Sequence, residues 1–240
     1  MRKKKNGEAR LAACSEYIFE GTDAPMSDPA GALGYPGAPV YLEIGAGKGG
    51  FACGMVALNP DACYYAMERV SDCVVLATER AKAEGVANRL RFIIDTADNL
   101  TRIFAPGSID KIFLNFSDPW SKKGYAKRRL THKRYLSVYM NLLRDGGSLR
   151  FKTDNVGLFD FSLEEISAIG IEPVKCTRDL HSSPYSEGNV VTEYEAAFSA
   201  KGVKINMLEI IKPEGFNIPV SEDLRADRKE YRYGKSEGEN

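Results

Sequence analysis

From residue 40 onward, short apolar runs alternate with stretches of helical periodicity, and this alternation most constrains the fold. The apolar runs are VYLEIG, CYYAME, LRFIID, DKIFLNF and SLRFKT, and helices are predicted at 50–59, 71–85, 132–143 and 157–169. Strands that alternate with helices build a parallel sheet with helices on its faces. The sequence therefore predicts an α/β fold with at least five strands in one mostly parallel sheet.

The pattern changes toward the end of this region. The segments EPVKCTRDL and TEYEAAFSAKGVKINMLEII contain closely linked β-patterned runs around Lys201 and Gly202. Two such runs joined by a short glycine-containing turn are typical of a hairpin. We therefore expect a C-terminal antiparallel hairpin at one end of the sheet.

The chain is expected to comprise a folded domain and two flanking segments. The N-terminal arm, 1–39, is charged and then rich in Gly, Pro and Ala, and the tail, 213–240, is polar. Both compositions build loops more readily than core, so we expect the arm to be partly flexible and the tail to be frayed or disordered. The segment 40–212 is long enough to bury a core as one domain.

The overall composition excludes some classes of protein. The 33 basic residues balance 33 acidic ones, so any nucleic-acid contact must come from a local patch and not from a polycationic surface. Five cysteines without a C-x-x-C pair, and a basic start with no apolar segment after it, predict a cytoplasmic protein. No apolar run approaches the roughly 20 residues that span a bilayer. Two isolated histidines predict no metal site.

The segment YLEIGAGKGG places Glu43 ahead of Gly45, Gly47, Gly49 and Gly50, where a strand meets a helix. Glycines at such a junction allow a sharp turn and the close approach of a ligand. The run also satisfies G-x-G-x-x-G, so an NAD site and a purely structural turn stay open as alternatives. A P-loop is disfavoured because no Ser or Thr follows the lysine.

Acidic residues near this turn indicate a nucleoside cofactor. Glu43 lies inside the first strand, where it could pair with an amino or sulfonium cation, and this favours S-adenosylmethionine. Glu68 ends the second strand at a spacing that suits the hydroxyls of an adenosine ribose. Residues after the third strand compete for the contact to adenine, and helix capping is the alternative for each. They are Asp95, Thr96, Ala97 and Asp98.

The fourth strand ends in FLNFSDPW. Ligands of open α/β sheets bind at the carboxyl ends of strands, so Asn115 and Asp118 should face the cofactor crevice. Asp118 could act as a general base or accept hydrogen bonds from a guanine edge. Trp120 could pack internally or stack on a base.

A cationic segment follows directly, in PWSKKGYAKRRLTHKR. A solvated surface normally mixes both signs of charge, whereas this segment contains no acid, so contact with phosphates is favoured. Its basic residues are Lys122, Lys123, Lys127, Arg128, Arg129, Lys133 and Arg134.

Four motifs in this order resemble the bacterial tRNA (guanine-N7-)-methyltransferases. They are EIGAGKGGF, LNFSDPWSKKGYAKRRLT, GGSLRFKTDN and VVTEYEAAFSAKG, and they cover about 40–205. The resemblance implies a Rossmann-like class I S-adenosylmethionine-dependent methyltransferase fold. It also implies methyl transfer to N7 of a guanine in the tRNA variable loop, position 46. S-adenosyl-L-methionine would be the cofactor and tRNA the partner of a monomer or homodimer with no obligatory protein partner and no membrane contact.

The resemblance also implies roles for individual residues. Asp118 matches the catalytic acid. The cofactor-binding positions are Glu43, Gly45, Gly47, Glu68, Arg69, Thr96, Ala97, Asn115 and Asp118. The substrate-binding positions are Lys122, Asp154, Thr192, Glu193, Tyr194 and Glu195. Contact with the RNA backbone is expected from Lys123, Lys127, Arg128 and Arg129.

The sequence departs from the family pattern at three places. Thr96-Ala97 stands where the family has Asp-Ala, so the adenine contact could come from Thr96 or Asp95. Ser121 replaces a proline after the tryptophan. Gly124-Tyr125 replaces an Arg-His pair, which puts the local RNA contact in question.

Guanine N7 carries a lone pair and no proton, so positioning should do most of the catalytic work. We expect Asp118, helped by Glu193 and Glu195, to accept hydrogen bonds from the guanine Watson–Crick edge. Methylation of an exocyclic amine and a non-catalytic RNA-binding protein are the alternatives. A dehydrogenase is the weakest option because no hydride-transfer constellation is evident.

Overall fold

A computed structural model describes residues 6–221 and 224 of the chain. The strands in these residues are β1 Val40–Ile44, β2 Cys63–Met67, β3 Leu90–Ile93, β4 Ile109–Asn115, β5 Leu143–Thr153, β6 Lys175–Thr177 and β7 Asn206–Ile211. They form one seven-stranded sheet in the order β3-β2-β1-β4-β5-β7-β6. The first five strands are parallel, and β7 runs antiparallel to both β5 and β6. The predicted, mostly parallel sheet with an antiparallel C-terminal pair is confirmed.

Helices alternate with the strands along the described part of the chain. They are α1 Gly7–Ala12, α2 Gly50–Leu58, α3 Ser71–Glu84, α4 Leu100–Ile103, α5 Lys133–Leu142, α6 Val156–Ala168 and α7 Glu193–Ser199. The four helices expected between the apolar runs correspond to α2, α3, α5 and α6, so those predictions are confirmed. None of the helices in the described part of the chain has the length and apolar character needed to cross a membrane.

The core lies in two layers, one on each face of the sheet. In β1, Leu42 and Ile44 join a cluster that includes Leu136 of α5, whereas Tyr41 joins a second cluster with Val74 of α3. Successive side chains of a strand point to opposite faces, and a sheet covered on both faces buries all of them. This is why the parallel strands read as continuous apolar runs and not as polar–apolar alternation.

The hairpin expected around Lys201 and Gly202 is wrong in its position. The run TEYEAAFSA before this turn is helix α7, and the strand that pairs with β7 is the earlier β6. Thr192 Oγ1 accepts a hydrogen bond from the Glu195 amide at 2.9 Å, and the Glu195 carboxylate accepts one from the Thr192 amide at 3.4 Å. This reciprocal capping box satisfies the first free amides of a helix and starts one here.

The described part of the N-terminal segment packs against the domain. The Phe19 amide donates to the Phe92 carbonyl of β3 at 2.9 Å, beside a parallel bridge between Ile18 and Phe92. The Arg10 guanidinium makes two hydrogen bonds to Glu79 of α3, at 2.6 and 2.7 Å. The contact at Phe92 covers part of the β3 edge of the sheet, where backbone groups would otherwise be unpaired.

The division into segments at residues 39 and 212 stays a prediction. Most of the predicted polar tail, and the first residues of the arm, lie outside the described residues.

The strand order reverses between β1 and β4. From β1 the chain continues to β2 and β3 on one side, and from β4 it continues to β5 on the other side. Such a reversal leaves a crevice beyond the carboxyl ends of β1 and β4. The glycine turn follows β1 and the FSDPW segment follows β4, so the fold brings both predicted motifs to this crevice.

Candidate active site

A cleft of about 530 Å³ lies at the carboxyl ends of β1, β2, β3 and β4. Its walls include many of the predicted cofactor residues: Gly45, Glu68, Arg69, Thr96, Ala97, Asn115 and Asp118. Residues of the cationic segment and of α5 also line it, including Trp120, Arg128, Arg134 and Tyr135. The structure therefore joins the glycine turn and the DPW segment in one site.

The glycine turn needs glycine for two different reasons. Gly45 and Gly47 have φ of 89° and 55°, and a Cβ at either position would meet no heavy atom within 4 Å, so the backbone is open to a ligand. At Gly49, by contrast, a Cβ would lie 2.9 Å from the Ala77 Cβ of α3. That glycine allows the start of α2 to pack against its neighbour.

Glu68 connects the glycine turn to the segment before α3. Its carboxylate accepts hydrogen bonds from the Gly47 amide at 3.0 Å and from the Val70 amide at 2.9 Å. Each carboxylate oxygen has room for a further donor, so the residue can hold the loop and still accept from a ligand hydroxyl. Its place in the cleft wall is consistent with the predicted contact to ribose.

Glu43 and Asn115 form a buried polar pair beneath the cleft. Glu43 is 2% exposed, and its Oε1 accepts a hydrogen bond from Asn115 Nδ2 at 3.0 Å. Three buried acceptors nearby have no hydrogen-bond partner: Glu43 Oε2, Asn115 Oδ1 and Ser117 Oγ. Buried acceptors are normally paired, so this group suits a ligand that brings N–H donors or positive charge. The residues present thus fit the amino-acid end of S-adenosylmethionine.

Burial raises the pKa of Glu43 from 4.5 to about 8, even though the Asn115 hydrogen bond and the Lys152 charge oppose the shift. Burial favours the neutral form of a carboxyl group because an unpaired charge is poorly solvated in the interior. A bound cation would reverse this preference and favour the ionised form.

The raised pKa of Glu43 should make the stability of the fold depend on pH. Between about pH 5 and about pH 8 the folded chain retains a proton that the unfolded chain has released, so Glu43 makes the free energy of unfolding fall as pH rises. The variant Glu43→Gln should lack this contribution, and its stability relative to the wild type should increase with pH. Urea unfolding of both proteins across this range measures the difference. A difference that stays constant with pH would contradict the buried, protonated state.

The polar residues after β3 mostly bond with one another. Asp95 Oδ1 accepts from the Thr96 amide at 2.6 Å and from Asn99 Nδ2 at 2.8 Å. Asp98 Oδ1 accepts from Arg134 Nη2 at 2.9 Å and from Tyr135 Oη at 3.0 Å. Asp98 therefore ties this loop to α5. Which residue contacts adenine stays a prediction, since both Asp95 and Thr96 line the cleft.

Asp118 lies in a strained turn at the end of β4. Phe116 and Trp120 have φ of 52° and 40°, a left-handed conformation that non-glycine residues rarely adopt. The Asp118 side chain is 66% exposed, and its Oδ2 lies 3.6 Å from Arg69 Nη2 at the end of β2. Strained residues that cluster in a cleft wall are a feature of functional sites.

The cationic segment continues from this turn as a 3₁₀ helix, Lys123–Arg128. The Arg128 guanidinium carbon lies 4.9 Å from the ring centroid of Trp120 and 4.8 Å from that of Tyr125. Three predicted contacts, Lys122, Lys123 and Lys127, are exposed. Arg129 instead directs its guanidinium back toward the turn.

Glu195 is not brought to the cleft. Its side chain is fully buried, and Oε2 forms an ion pair with Lys152 Nζ of β5 at 2.6 Å. Asn189 Nδ2 donates to Oε1 at 2.8 Å, and His181 Nε2 lies 3.2 Å from the same oxygen. Lys152 has 0% exposure and was absent from the predicted site residues. The sequence signal for it is a lysine within SLRFKT, a run predicted to be a buried strand, because a buried lysine needs a charged partner.

The other predicted substrate residues lie along the start of α7. Thr192 caps the helix, and Glu193 pairs with Arg80 of α3. The Tyr194 ring centroid lies 5.0 Å from that of Phe116, at the end of β4. Burial and the Asp154 carboxylate raise the pKa of the Tyr194 phenol. Tyr194 and Asp154 are thus close to the Asp118 turn, whereas Thr192 and Glu195 stabilise the helix that carries Tyr194.

The strand order and the cleft at its reversal point define a Rossmann-like class I methyltransferase fold. The solved structure of the 16S rRNA methyltransferase KamB shares this fold, with a TM-score of 0.61 and 14% identity over 81% of this chain and 96% of that chain. TrmN from Thermus thermophilus aligns with a TM-score of 0.52 and 20% identity, over 86% of this chain and 48% of that chain.

Sequence comparisons lead to a narrower family. Residues 37–208 match the family described as "Putative methyltransferase". The tRNA (guanine-N(7)-)-methyltransferase of Bacillus subtilis (strain 168) is 39% identical over 81% of this chain and 93% of the relative. The Halalkalibacterium halodurans protein of the same name is 42% identical over 72% of this chain and 77% of the relative. The chain belongs to the tRNA (guanine-N7-)-methyltransferase family.

Proposed function

We propose that this protein transfers a methyl group from S-adenosylmethionine to N7 of a guanine in the tRNA variable loop, at position 46. The cleft is the observation that carries this proposal. It brings unpartnered acceptors for a cationic donor, Asn115 Oδ1 and Ser117 Oγ, together with Asp118 and with residues of the adjoining cationic segment. The names of the two relatives support tRNA as the substrate. A cytoplasmic location and a monomeric or homodimeric state stay predictions.

S-adenosylmethionine, when bound, supplies an electrophilic methyl group on a sulfonium. We assign Glu43 and Asn115 to its amino-acid end, because their free oxygens are buried and suited to N–H donors. Glu68 would accept from the ribose hydroxyls, beside the open backbone of Gly45. Thr96 and Ala97 line the part of the cleft that remains for adenine.

Asp118 is assigned to the target base. Guanine N7 needs no proton removed, so a carboxylate is more useful as an acceptor for the N–H groups of the Watson–Crick edge. In that place it would orient N7 and stabilise positive charge that develops on the ring. The sequence predicts that Glu193 and Glu195 accept hydrogen bonds from the guanine as well. We assign this contact to Asp118 alone, because the Glu193 carboxylate pairs with Arg80 and the Glu195 carboxylate with Lys152.

The aromatic and basic side chains around the turn complete the assignment. Trp120 or Tyr194 would stack on the base once it is extruded from the tRNA. The exposed basic residues would bind phosphates without reading the sequence, since phosphate contacts position a nucleic acid but do not specify it. These residues are Lys122, Lys123, Lys127 and Arg128.

The test is methyl transfer to unmodified tRNA from labelled S-adenosylmethionine, followed by aniline cleavage, which cuts the chain at 7-methylguanine. We expect label in the tRNA and one new cleavage site in the variable loop. A matched tRNA with adenine at that position should take up no label.

The possible outcomes separate the alternatives. Label without an aniline-sensitive site would indicate methylation of an exocyclic amine and contradict the proposal. Absence of label, together with tRNA binding, would indicate a non-catalytic RNA-binding protein.

A further inference from the structure

Arg129 is bound to the turn that carries Asp118. Its Nε donates to the Pro119 carbonyl at 3.0 Å, and its Nη2 donates to the Trp120 carbonyl at 3.2 Å. The face of the guanidinium lies over the ring of Phe161 in α6, with the central carbon 4.3 Å from the ring centroid. Two of its three nitrogens and one face are therefore occupied by groups of the protein, and the residue is half-buried, which distinguishes Arg129 from the exposed lysines of the same segment.

The turn needs such a partner because its conformation is unfavourable by itself. Phe116 and Trp120, at its two ends, are both left-handed. Left-handed non-glycine residues persist only where the surrounding structure holds them. The first end is held by the Phe116 amide, which donates to the Lys152 carbonyl of β5 at 2.9 Å. At the second end, the hydrogen bonds from Arg129 hold the two carbonyls that follow Asp118.

The shape of the guanidinium suits this task better than its charge alone. Arginine donates from a rigid planar fork, so one side chain can reach two neighbouring acceptors in fixed geometry, whereas lysine is a flexible point charge. The backbone of Arg129 is itself fixed at the end of the 3₁₀ helix, where its amide donates to the Ala126 carbonyl at 3.0 Å. The fork thus connects the cationic segment, α6 and the Asp118 turn.

The geometry points to Arg129 as a positioning residue for Asp118, rather than a ligand of the tRNA phosphates as its place in the sequence predicts. Its catalytic consequence rests on the proposed function. Loss of the fork should let the turn relax and displace the Asp118 carboxylate from the target base. A displacement of about 1 Å at a reacting site can lower a rate by about 100-fold.

The test compares Arg129→Ala and Arg129→Lys with Lys123→Ala, a matched change at an exposed lysine of the same segment. Methyl transfer gives kcat and KM for tRNA. Acrylamide quenching of Trp120, the chain's only tryptophan, gives a direct readout of the turn without substrate. Circular dichroism and thermal unfolding show that each variant is folded.

Both Arg129 variants should lose about 10- to 100-fold in kcat with little change in KM, because turn geometry and not charge is altered. Their Trp120 quenching should increase. Lys123→Ala should instead raise KM and leave quenching as in the wild type. Full kcat in Arg129→Lys, or a rise in KM with unchanged quenching in Arg129→Ala, would overturn the inference.

The two proposals can fail separately. If the wild-type chain transfers no methyl group to tRNA, the proposed function fails, and quenching in the Arg129 variants alone decides whether Arg129 holds the turn. If the wild type is active but the Arg129 variants keep both its kcat and its quenching, the inference fails and the proposed function stands.

Discussion

Replacing Glu195 with alanine is expected to lower the free energy of unfolding by about 3–5 kcal/mol, because it leaves the Lys152 ammonium buried without a counter-charge. Both side chains have 0% exposure, and the pair closes at 2.6 Å. The remaining acceptors at Lys152 Nζ are Asn189 Oδ1 at 2.9 Å and the Val190 carbonyl at 3.1 Å, neither of which is charged. Burial already lowers the pKa of Lys152, and the Glu195 carboxylate opposes that shift.

Urea or thermal unfolding of Glu195→Ala measures this effect. Asp160→Ala is a suitable control because it breaks the Arg178–Asp160 ion pair, whose side chains are 56% and 49% exposed. Exposed pairs of this kind contribute about 1 kcal/mol or less. The double variant Lys152→Met with Glu195→Leu should recover most of the loss, since a buried pair can be replaced by apolar groups. A loss in Glu195→Ala no larger than in the control would show that the pair is not buried.

Replacing Asp118 with alanine is expected to lower turnover by about 100- to 1000-fold, the usual effect of removing one group that stabilises charge in a transition state. The protein should remain folded because the side chain is 66% exposed and its ion-pair partner, Arg69, is also exposed. Binding of tRNA should be largely kept, because we assign the phosphate contacts to the neighbouring cationic segment and not to Asp118.

Single-turnover methyl transfer and a separate tRNA-binding measurement distinguish these effects for Asp118→Ala. Asp61→Ala provides a matched control. Asp61 is exposed and precedes β2, so it lies near the amino ends of the parallel strands, whereas Asp118 lies at their carboxyl ends. The turnover of Asp61→Ala should equal that of the wild type. Full turnover in Asp118→Ala would show that the assigned role is wrong. If tRNA binding fell by the same factor as turnover, Asp118 would contribute to tRNA binding and not to the methyl-transfer step.

Patterns among residues that are close together in the chain account for most of the correct predictions. Continuous apolar runs predicted the five parallel strands, because strands buried on both faces have no polar side. The error at TEYEAAFSA had a local signal as well: Thr192 and Glu195 have the T-x-x-E spacing of a capping box, which favours a helix over the second strand of a hairpin. The apolar content of the segment, taken alone, favours a strand.

The sequence by itself determined the sheet, the glycine turn after β1 and the place of Asp118 after β4, since these depend on periodicity and on residues adjacent in the chain. Only the tertiary structure decided which charged residues line the cleft and which pair with each other in the interior. Lys152 and Glu195 are 43 positions apart and meet only when α7 packs over β5. Arg129 has basic neighbours that are exposed, and its different role depends on the carbonyls of a turn 9–10 residues earlier in the chain. A charge pattern along the chain gives no direction for a side chain, because that direction is set by the three-dimensional positions of its acceptors.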